Sequence, residues 1–185
     1  MKYIKYPRTF HLPWSEGATN DDKILRNVDH FVGTDVVVTE KMDGENTTLY
    51  TDHYHARSID SRHHPSRDWL AAFHATISSD IPEGWRICGE NVYAQHSIRY
   101  ENLESYFLGF SIWNEHNVCL SWEETKFWFD LLGITPVREL YVGPFDEARI
   151  VELQKSLDKT SVEGYVVRSA KEFQYSEFAN NVAKF

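Results

Sequence analysis

Six runs of the chain carry the apolar, β-branched and aromatic residues that are typical of short strands. They lie at 36–40, 47–50, 53–56, 86–90, 106–113 and 162–168. Only Thr51 and Asp52 separate the second run from the third, and so short a connection predicts a tight hairpin. The run at 106–113 is apolar enough to form a central strand.

The helical spacing of apolar residues predicts three helices. The first begins near Ser66, and one of its faces carries Trp69, Leu70, Phe73 and Ile77. The second begins with the capping-box spacing of Ser121 and Glu124 and ends at Gly133. One face of this helix carries Glu124, Phe127, Trp128 and Leu131. The third begins near Asp146, and the side chains that we expect it to bury are Ile150, Leu153 and Leu157.

Strands outnumber helices, and many of the connections are too short for the crossovers of a parallel sheet. We therefore predict an α+β fold with largely antiparallel sheets flanked by helices. A chain of 185 residues that is 42% hydrophobic has the size of one domain. Its first 35 residues, which include Pro7, Pro13 and Gly17, are irregular and predict an N-terminal arm wrapped on that domain.

The composition indicates where the protein resides and which classes of partner it can bind. No run of about 18 apolar residues occurs and no secretory signal opens the chain, so we expect a soluble, cytoplasmic protein without a membrane partner. Cys88 and Cys119 lack the spacing of a disulfide framework or zinc finger, which indicates reduced thiols. The net charge of -9 argues against a large nucleic-acid footprint. A small one remains possible at the basic cluster of His55, Arg57, Arg62, His63, His64 and Arg67.

The stretch TEKMDGEN at 39–46 places a lysine between a β-branched strand and a turn-forming Asp-Gly. One interpretation is a strand whose end is solvated; the other is a strand that delivers the amine of Lys41 into a pocket. Lysine is a nucleophile only as the free amine, which desolvation or nearby positive charge favours. Asp43 alternates to the same side of an extended chain as Lys41, where it would orient the amine or bind metal.

Lys41-Met42-Asp43-Gly44 resembles the first motif, Lys-x-Asp-Gly, of the covalent nucleotidyltransferases, which include DNA and RNA ligases and messenger-RNA capping enzymes. The longer form EKMDGEN resembles the ATP-dependent RNA ligases among them. Four further segments resemble the later motifs of the family in the same order: HARSIDSR, CGEN, YFLGFSIW and VEGYVVR. Together these segments span Lys41 to Arg168, which is most of the chain.

The resemblance implies the nucleotidyltransferase fold and a reaction with ATP and Mg²⁺ or Mn²⁺. Lys41 would attack the α-phosphate, release pyrophosphate and carry AMP, which then passes to the 5′-phosphate of an RNA before a 3′-hydroxyl attacks. By the same resemblance, the residues that bind the nucleotide are Glu40, Lys41, Asn46, Arg57, Glu90, Phe110 and Lys184. Among them, Glu40 would lie at the base, Phe110 would stack on it and Glu90 would contact a ribose hydroxyl.

Glu163 would hold the metal by resemblance, Asp43 is a second candidate from its position beside Lys41, and Arg62 would contact the nucleic acid. Each assignment has an ordinary structural alternative. Phe110 in an apolar strand fits a core position, Glu90 and Glu163 fit solvated strand ends, Asn46 fits a turn cap, and Arg62 fits an ion pair with Asp60 or Asp68. His63 and His64 are not expected to bind metal together, because neighbours on a strand point to opposite faces.

Other functions stay open at this stage. The same chemistry fits a DNA ligase or a GTP-dependent capping enzyme, and a non-catalytic nucleotide or RNA-end sensor would keep the pocket without turnover. P-loop, Rossmann and serine-hydrolase sites are disfavoured because their glycine motifs are absent. The last family motif carries two basic residues, and Lys184 is the candidate for the first, in an uncertain register. We expect this motif to be incomplete within 1–185, without a C-terminal nucleic-acid-binding domain, and a kinase or phosphatase that heals RNA ends is a conceivable partner.

Overall fold

The computed structural model describes residues 3–16, 19 and 22–185. Twelve strands are numbered in chain order: β1 Phe10–His11, β2 Asp35–Lys41, β3 Glu45–Leu49, β4 Tyr54–Ala56, β5 Arg86–Asn91, β6 Phe107–Trp113, β7 Val118–Cys119, β8 Thr135–Pro136, β9 Glu139–Pro144, β10 Gly164–Ser169, β11 Phe173–Gln174 and β12 Val182–Lys184. The α-helices are α1 Asp68–Ile77, α2 Trp122–Leu132 and α3 Glu147–Ser156. No helix among the described residues is both long and apolar enough to cross a bilayer.

The strands form two sheets. The small sheet has the order β1-β12-β10-β2-β9, and the large sheet has the order β11-β7-β6-β5-β3-β4 with β8 beside β6. Only the pairs β1–β12 and β6–β8 are parallel among the strand pairings of the described residues. The predicted hairpin is present, because β3 and β4 pair with each other and are antiparallel. The prediction of an α+β fold with largely antiparallel sheets is therefore confirmed.

The inner faces of the two sheets pack against each other, and helices and the arm cover their outer faces. Along β2, Val36 and Val38 belong to an outer core with Phe31 of the arm and Ile150 of α3, whereas Val37 faces the inner core. This alternation explains why the strand reads as a continuous β-branched run: both of its faces are buried. Helices α1 and α2 cover the outer face of the large sheet. The cleft between the sheets is where the candidate site lies.

The helices begin and end largely as the sequence indicates, but the buried face of α2 differs from the expected one. The capping box of Ser121 and Glu124 is formed, and Gly133 ends the helix with a φ of 68°. Phe127 and Leu131 are, however, 65% and 63% exposed. The residues that α2 buries are Trp122, Thr125, Phe129 and Leu132. Thr125 interrupts this stripe with a hydroxyl, so the apolar side chains on the solvent face gave the stronger signal.

In α1, Leu70 and Ile77 are buried while Trp69 and Phe73 pack against them partly exposed. In α3, Ile150 is buried. Leu153 and Leu157 are only partly buried, and Leu157 caps the end of the helix rather than lying within it. The third helix therefore presents a narrower apolar face than the sequence predicts.

The described residues of the N-terminal arm contribute one strand to the fold. β1 pairs in parallel with β12, so that Phe10 lies beside Ala183 and His11 beside Lys184. Residues 1, 2, 17, 18, 20 and 21, which belong to the predicted arm, lie outside the described part of the chain. The arm is thus joined to the edge of the small sheet next to the cleft.

Candidate active site

A cavity of about 480 Å³ lies in the cleft between the two sheets. That volume is within the usual range of small-molecule sites. The seven residues predicted to bind nucleotide all line it: Glu40, Lys41, Asn46, Arg57, Glu90, Phe110 and Lys184. We call the region around Lys41, Glu90, Arg57 and Lys184 the charged end of the cavity, and the region around Phe110 the aromatic end.

At the charged end, strand register brings Lys41 and Glu163 together. Lys41 is the last residue of β2 and lies opposite Gly164, the first residue of β10. Glu163 directly precedes that glycine, and its Oε1 forms an ion pair with Nζ of Lys41. The two side chains are 26% and 36% exposed, so the amine points neither into the core nor into open solvent. The solvated-strand-end interpretation of Lys41 does not fit this arrangement.

Glu90 and Asn46 face each other across β5 and β3 next to this pair. Burial raises the pKa of Glu90 to about 8; the ammonium of Lys41 opposes this shift and the carboxylate of Glu163 adds to it. The side-chain oxygen of Asn46 is buried and has no hydrogen-bond partner among the described residues. A buried acceptor without a partner is costly, so this atom is available for a donor on a ligand.

Lys184 lies on β12 of the small sheet, separated from the strand of Lys41 by β10. It is paired with Val166 of β10. Its assignment as the first basic residue of the family's last motif stays a prediction. Its Nζ is 4.0 Å from Oδ1 of Asp22, and Nε2 of His11 is 3.5 Å from the same oxygen. Desolvation lowers the pKa of Lys184, and the nearby charge of Lys41 lowers it further. Asp22 belongs to the irregular arm, and no sequence signal pointed to it.

Glu40 holds a partner that the sequence analysis missed. Its side chain is buried, and its Oε2 accepts a hydrogen bond from Nε of Arg138 at 2.9 Å. The backbone N–H of Glu40 also donates to the carbonyl of Arg138 at 2.8 Å. Arg138 lies just before β9, the strand that pairs with β2, and only the tertiary pairing reveals it.

At the aromatic end, Phe110 is partly buried and exposes part of its ring to the cavity. Its backbone carbonyl accepts a hydrogen bond at 3.2 Å from Nη1 of Arg168, a buried arginine whose Nη2 donates to the carbonyl of Leu120 at 2.8 Å. Tyr6 of the arm packs against Phe110. The interpretation of Phe110 as a core residue is therefore correct in part, because its ring both packs against the core and lines the cavity. Arg168 ends the segment VEGYVVR, but the sequence analysis assigned it no role. Its position in an apolar strand is the feature that could have indicated a buried, hydrogen-bonded arginine.

Asp43 and Arg62 lie apart from the cavity wall. Oδ2 of Asp43 accepts hydrogen bonds from the backbone N–H groups of Ser97 and Ile98 at 2.7 and 2.9 Å. Because β2 ends at Lys41, the alternation that would carry Asp43 to the same side does not continue. Arg62 is exposed, and within the described residues it forms no ion pair with an acidic side chain. The metal role of Asp43 and the nucleic-acid role of Arg62 remain predictions.

The charged end fits a nucleotide with a divalent cation better than it fits a resident metal. Among the described residues, no group of three or more His, Cys, Asp or Glu side chains is arranged to hold a metal ion. A cation at Glu163 would need phosphate oxygens and water to complete its shell, which is how Mg²⁺ usually binds in nucleotide sites. The cationic side chains that would face those phosphates are Lys41, Arg57 and Lys184.

Solved structures with the same fold include ligases. The structure titled "Archaeal ATP-dependent RNA ligase - form 1" superposes with a TM-score of 0.71 and 18% identity over 99% of this chain and 48% of that one. A mutant of the Naegleria gruberi RNA ligase with ATP and Mn superposes with a TM-score of 0.60 and 17% identity over 85% of this chain and 51% of its own. The chain thus spans about half the length of these proteins.

Sequence comparison gives the family. A search of curated protein sequences found no significant match. The profile of the RNA ligase family matches residues 34–185, from the strand that leads to Lys41 through to Phe185. Because that match covers most of the sequence, the chain belongs to the RNA ligase family.

Proposed function

We propose that this chain is the adenylylating part of an ATP-dependent RNA ligase. In this reaction Lys41 takes AMP from ATP, the AMP passes to the 5′-phosphate of an RNA, and a 3′-hydroxyl then displaces it. The observation that carries the proposal is the contact between Lys41 and Glu163 at one end of a cavity whose other end is lined by Phe110. Family membership supports RNA as the substrate class.

The first step forms one bond and breaks another. Nζ of Lys41 attacks the α-phosphorus, the bond to the bridging oxygen breaks, and pyrophosphate leaves with the electron pair of that bond. The ammonium must first lose a proton, and Glu163 is the carboxylate in contact with it. Until then the ion pair holds the amine at the mouth of the cavity, where a near-attack geometry can be reached.

The remaining residues would bind the nucleotide and neutralise the charge of its phosphates. A divalent cation held by Glu163 would offset the charge of the phosphates during transfer. Arg57 and Lys184 would also face these phosphates, Phe110 would stack on the base, and the free acceptor of Asn46 would take a hydrogen bond from the substrate. Mg²⁺ or Mn²⁺ is proposed because the Naegleria gruberi ligase structure contains ATP and Mn.

The RNA that reacts must carry a 5′-phosphate and a 3′-hydroxyl, since the leaving AMP is attached to the former and displaced by the latter. Breaks with phosphate on the opposite end would first need a kinase and a phosphatase. Such enzymes are therefore the proposed functional partners.

Covalent capture of AMP tests the proposal directly. The protein is incubated with ATP and MgCl₂ or MnCl₂, and its intact mass and the peptide that contains Lys41 are measured. We expect an AMP-sized increment on Lys41 that is absent from Lys41→Ala and retained in Lys171→Ala, a matched change at an exposed lysine. ATP that raises the melting temperature of the wild type without forming an adduct would instead indicate the non-catalytic sensor.

Comparing nucleotide donors and nucleic-acid acceptors distinguishes an RNA ligase from a DNA ligase and from a capping-type enzyme. We expect ATP to exceed GTP as the adduct donor, and nicked RNA to exceed nicked DNA as the sealed substrate. Preference for GTP would indicate a capping-type enzyme, and equal or better sealing of DNA would indicate a DNA ligase.

A further inference from the structure

The N-terminal arm crosses the cleft from one sheet to the other. Near its beginning, the hydroxyl of Tyr50 accepts the backbone N–H of Ile4 at 2.8 Å, and the hydroxyl of Tyr175 donates to the carbonyl of Lys5 at 2.7 Å. These two tyrosines follow β3 and β11, which are strands of the large sheet. A few residues later, β1 joins the small sheet. The segment 6–9 therefore bridges the sheets, and all four of its residues line the cavity.

Tyr6 is the residue of this bridge that enters the aromatic end. Its ring centroid is 5.3 Å from that of Phe110 with an interplanar angle of 73°, and 5.3 Å from that of Phe178 with an angle of 84°. Both contacts have the edge-to-face geometry that aromatic pairs prefer. Anchors on both sides of Tyr6 in the chain limit how far the ring can move away.

Tyr6 and Phe110 both pack against the edge of a buried aromatic cluster. Phe178, which it touches, packs in turn against Trp113 and Phe173 at centroid distances of 6.3 and 6.4 Å. All three of these residues line the same cavity as Phe110. Because this cluster is closely packed, loss of the Tyr6 ring would open a ring-sized space beside Phe110.

We propose that Tyr6 is a specificity-determining residue that sets the depth of the base site. This inference rests on the proposed function, because it takes Phe110 as the surface on which the purine stacks. The ring of Tyr6 closes the inner end of that site and excludes purines that carry a bulky substituent. The residue lies outside the part of the chain matched by the family profile, 34–185.

Enlarged nucleotides test this role. Adduct formation on Lys41 is measured with ATP and with ATP analogues that carry a benzyl-sized group at N6, C2 or C8 of the purine. In the wild type we expect ATP to be preferred over every analogue. In Tyr6→Ala we expect the ratio of analogue to ATP to rise at least tenfold for one position of substitution, because the space left by the tyrosine ring then accepts the group.

Two matched variants distinguish a change in the depth of the base site from a general loosening of the fold. Tyr6→Phe keeps the ring and should keep the wild-type ratios, and Phe127→Ala removes an exposed aromatic of α2 and should do the same. If Tyr6→Ala does not fold, as judged by its melting curve, Tyr6→Leu takes its place and should show a smaller rise in the same direction. Unchanged ratios in a folded variant that still reacts with ATP would overturn the inference.

Failure of the proposed function has a different signature. It would appear as no adduct with any nucleotide, even in the wild type. In that case the same ratios are measured as binding, from the shift in melting temperature with each nucleotide, and an increase confined to Tyr6→Ala would still support the depth role.

Discussion

The charged end and the aromatic end of the cavity are assembled in different ways. At the charged end, pairing of β2 with β10 brings Lys41 and Glu163 together. Glu90 is placed opposite Asn46 by pairing of β5 with β3, the strand that follows Lys41 in the chain. At the aromatic end, Tyr6, Phe110 and Phe178 come from the arm, a central strand and a turn near the last strand. Short motifs therefore encode the first region, whereas only the complete fold builds the second.

This difference leads to different expectations for mutations. Changes at the charged end should affect the rate of adenylyl transfer, because in the proposed function its side chains would contact the reacting groups. Changes at the aromatic end should affect which nucleotide binds and how tightly. The following four predictions test that division, beginning with the largest effect.

Glu163→Gln should slow formation of the Lys41 adduct by roughly 100-fold or more, the scale of losing one electrostatic stabiliser of a transition state. The variant lacks both the ion pair with Lys41 and the proposed cation ligand. The rate is measured as pyrophosphate release in a single turnover at saturating ATP. Glu172→Gln, at an exposed glutamate, is the matched control and should react normally. A wild-type rate in Glu163→Gln would remove this residue from the chemistry.

Phe110→Ala should raise the KM for ATP by about 10- to 100-fold, which corresponds to roughly 1–3 kcal/mol of base–aromatic stacking. The value of kcat should change less, because Lys41 and Glu163 are unaffected. Phe110→Trp should restore most of the affinity, since it offers a larger ring at the same position. A fall in kcat at constant KM would contradict the division between the two ends.

Glu90→Gln should change how the stability of the free protein depends on pH. The pKa of Glu90 is raised to about 8 in the folded state, so the folded protein holds this proton more tightly than the unfolded chain. Its contribution to stability is complete below the ordinary pKa of a glutamate, about 4.3, and is lost as pH rises through about 8.

Melting temperatures between pH 5 and pH 9 check this sign. The wild type should lose stability relative to Glu90→Gln over that interval, by roughly 2–4 °C for each kcal/mol. Parallel curves would show that burial of the charged form of Glu90 carries no cost, and a widening gap in the opposite direction would reverse the assignment.

Arg62→Ala should have the smallest effect, because Arg62 is outside both ends of the cavity. We expect RNA sealing to weaken about threefold and its salt dependence to fall by about one counterion, with adduct formation unchanged. Arg149→Ala, at an exposed arginine on α3, is the control for general loss of positive charge. Equal sealing by the wild type and both variants would leave Arg62 without a role in RNA binding.

Much of the fold was predictable because its signals are local. The β-branched run before Lys41, the two-residue connection between β3 and β4, and the capping box of α2 each depend on a few neighbouring residues. The face of α2 was misjudged because Thr125 interrupts the buried stripe and Phe127 is exposed. Asp43 was expected on the side of Lys41, but the strand ends before the alternation reaches it.

The site was predictable only in part. The motif resemblance indicated seven residues that the fold does bring to one cavity. It gave no indication of Tyr6, Asp22 or Arg138, because each reaches the site through tertiary pairing of segments far apart in sequence. An irregular segment has no periodicity, so nothing in the arm distinguishes a wall of a cavity from a surface loop.

The parallel pairing of β1 with β12 determines when this site can form during synthesis. His11 emerges from the ribosome early and Lys184 late, yet the two lie side by side in the small sheet. The cavity therefore lacks a wall until the last strand is made and docks beside the first. Contacts of such long sequence separation are slow to form, so the pocket for a nucleotide closes late in folding.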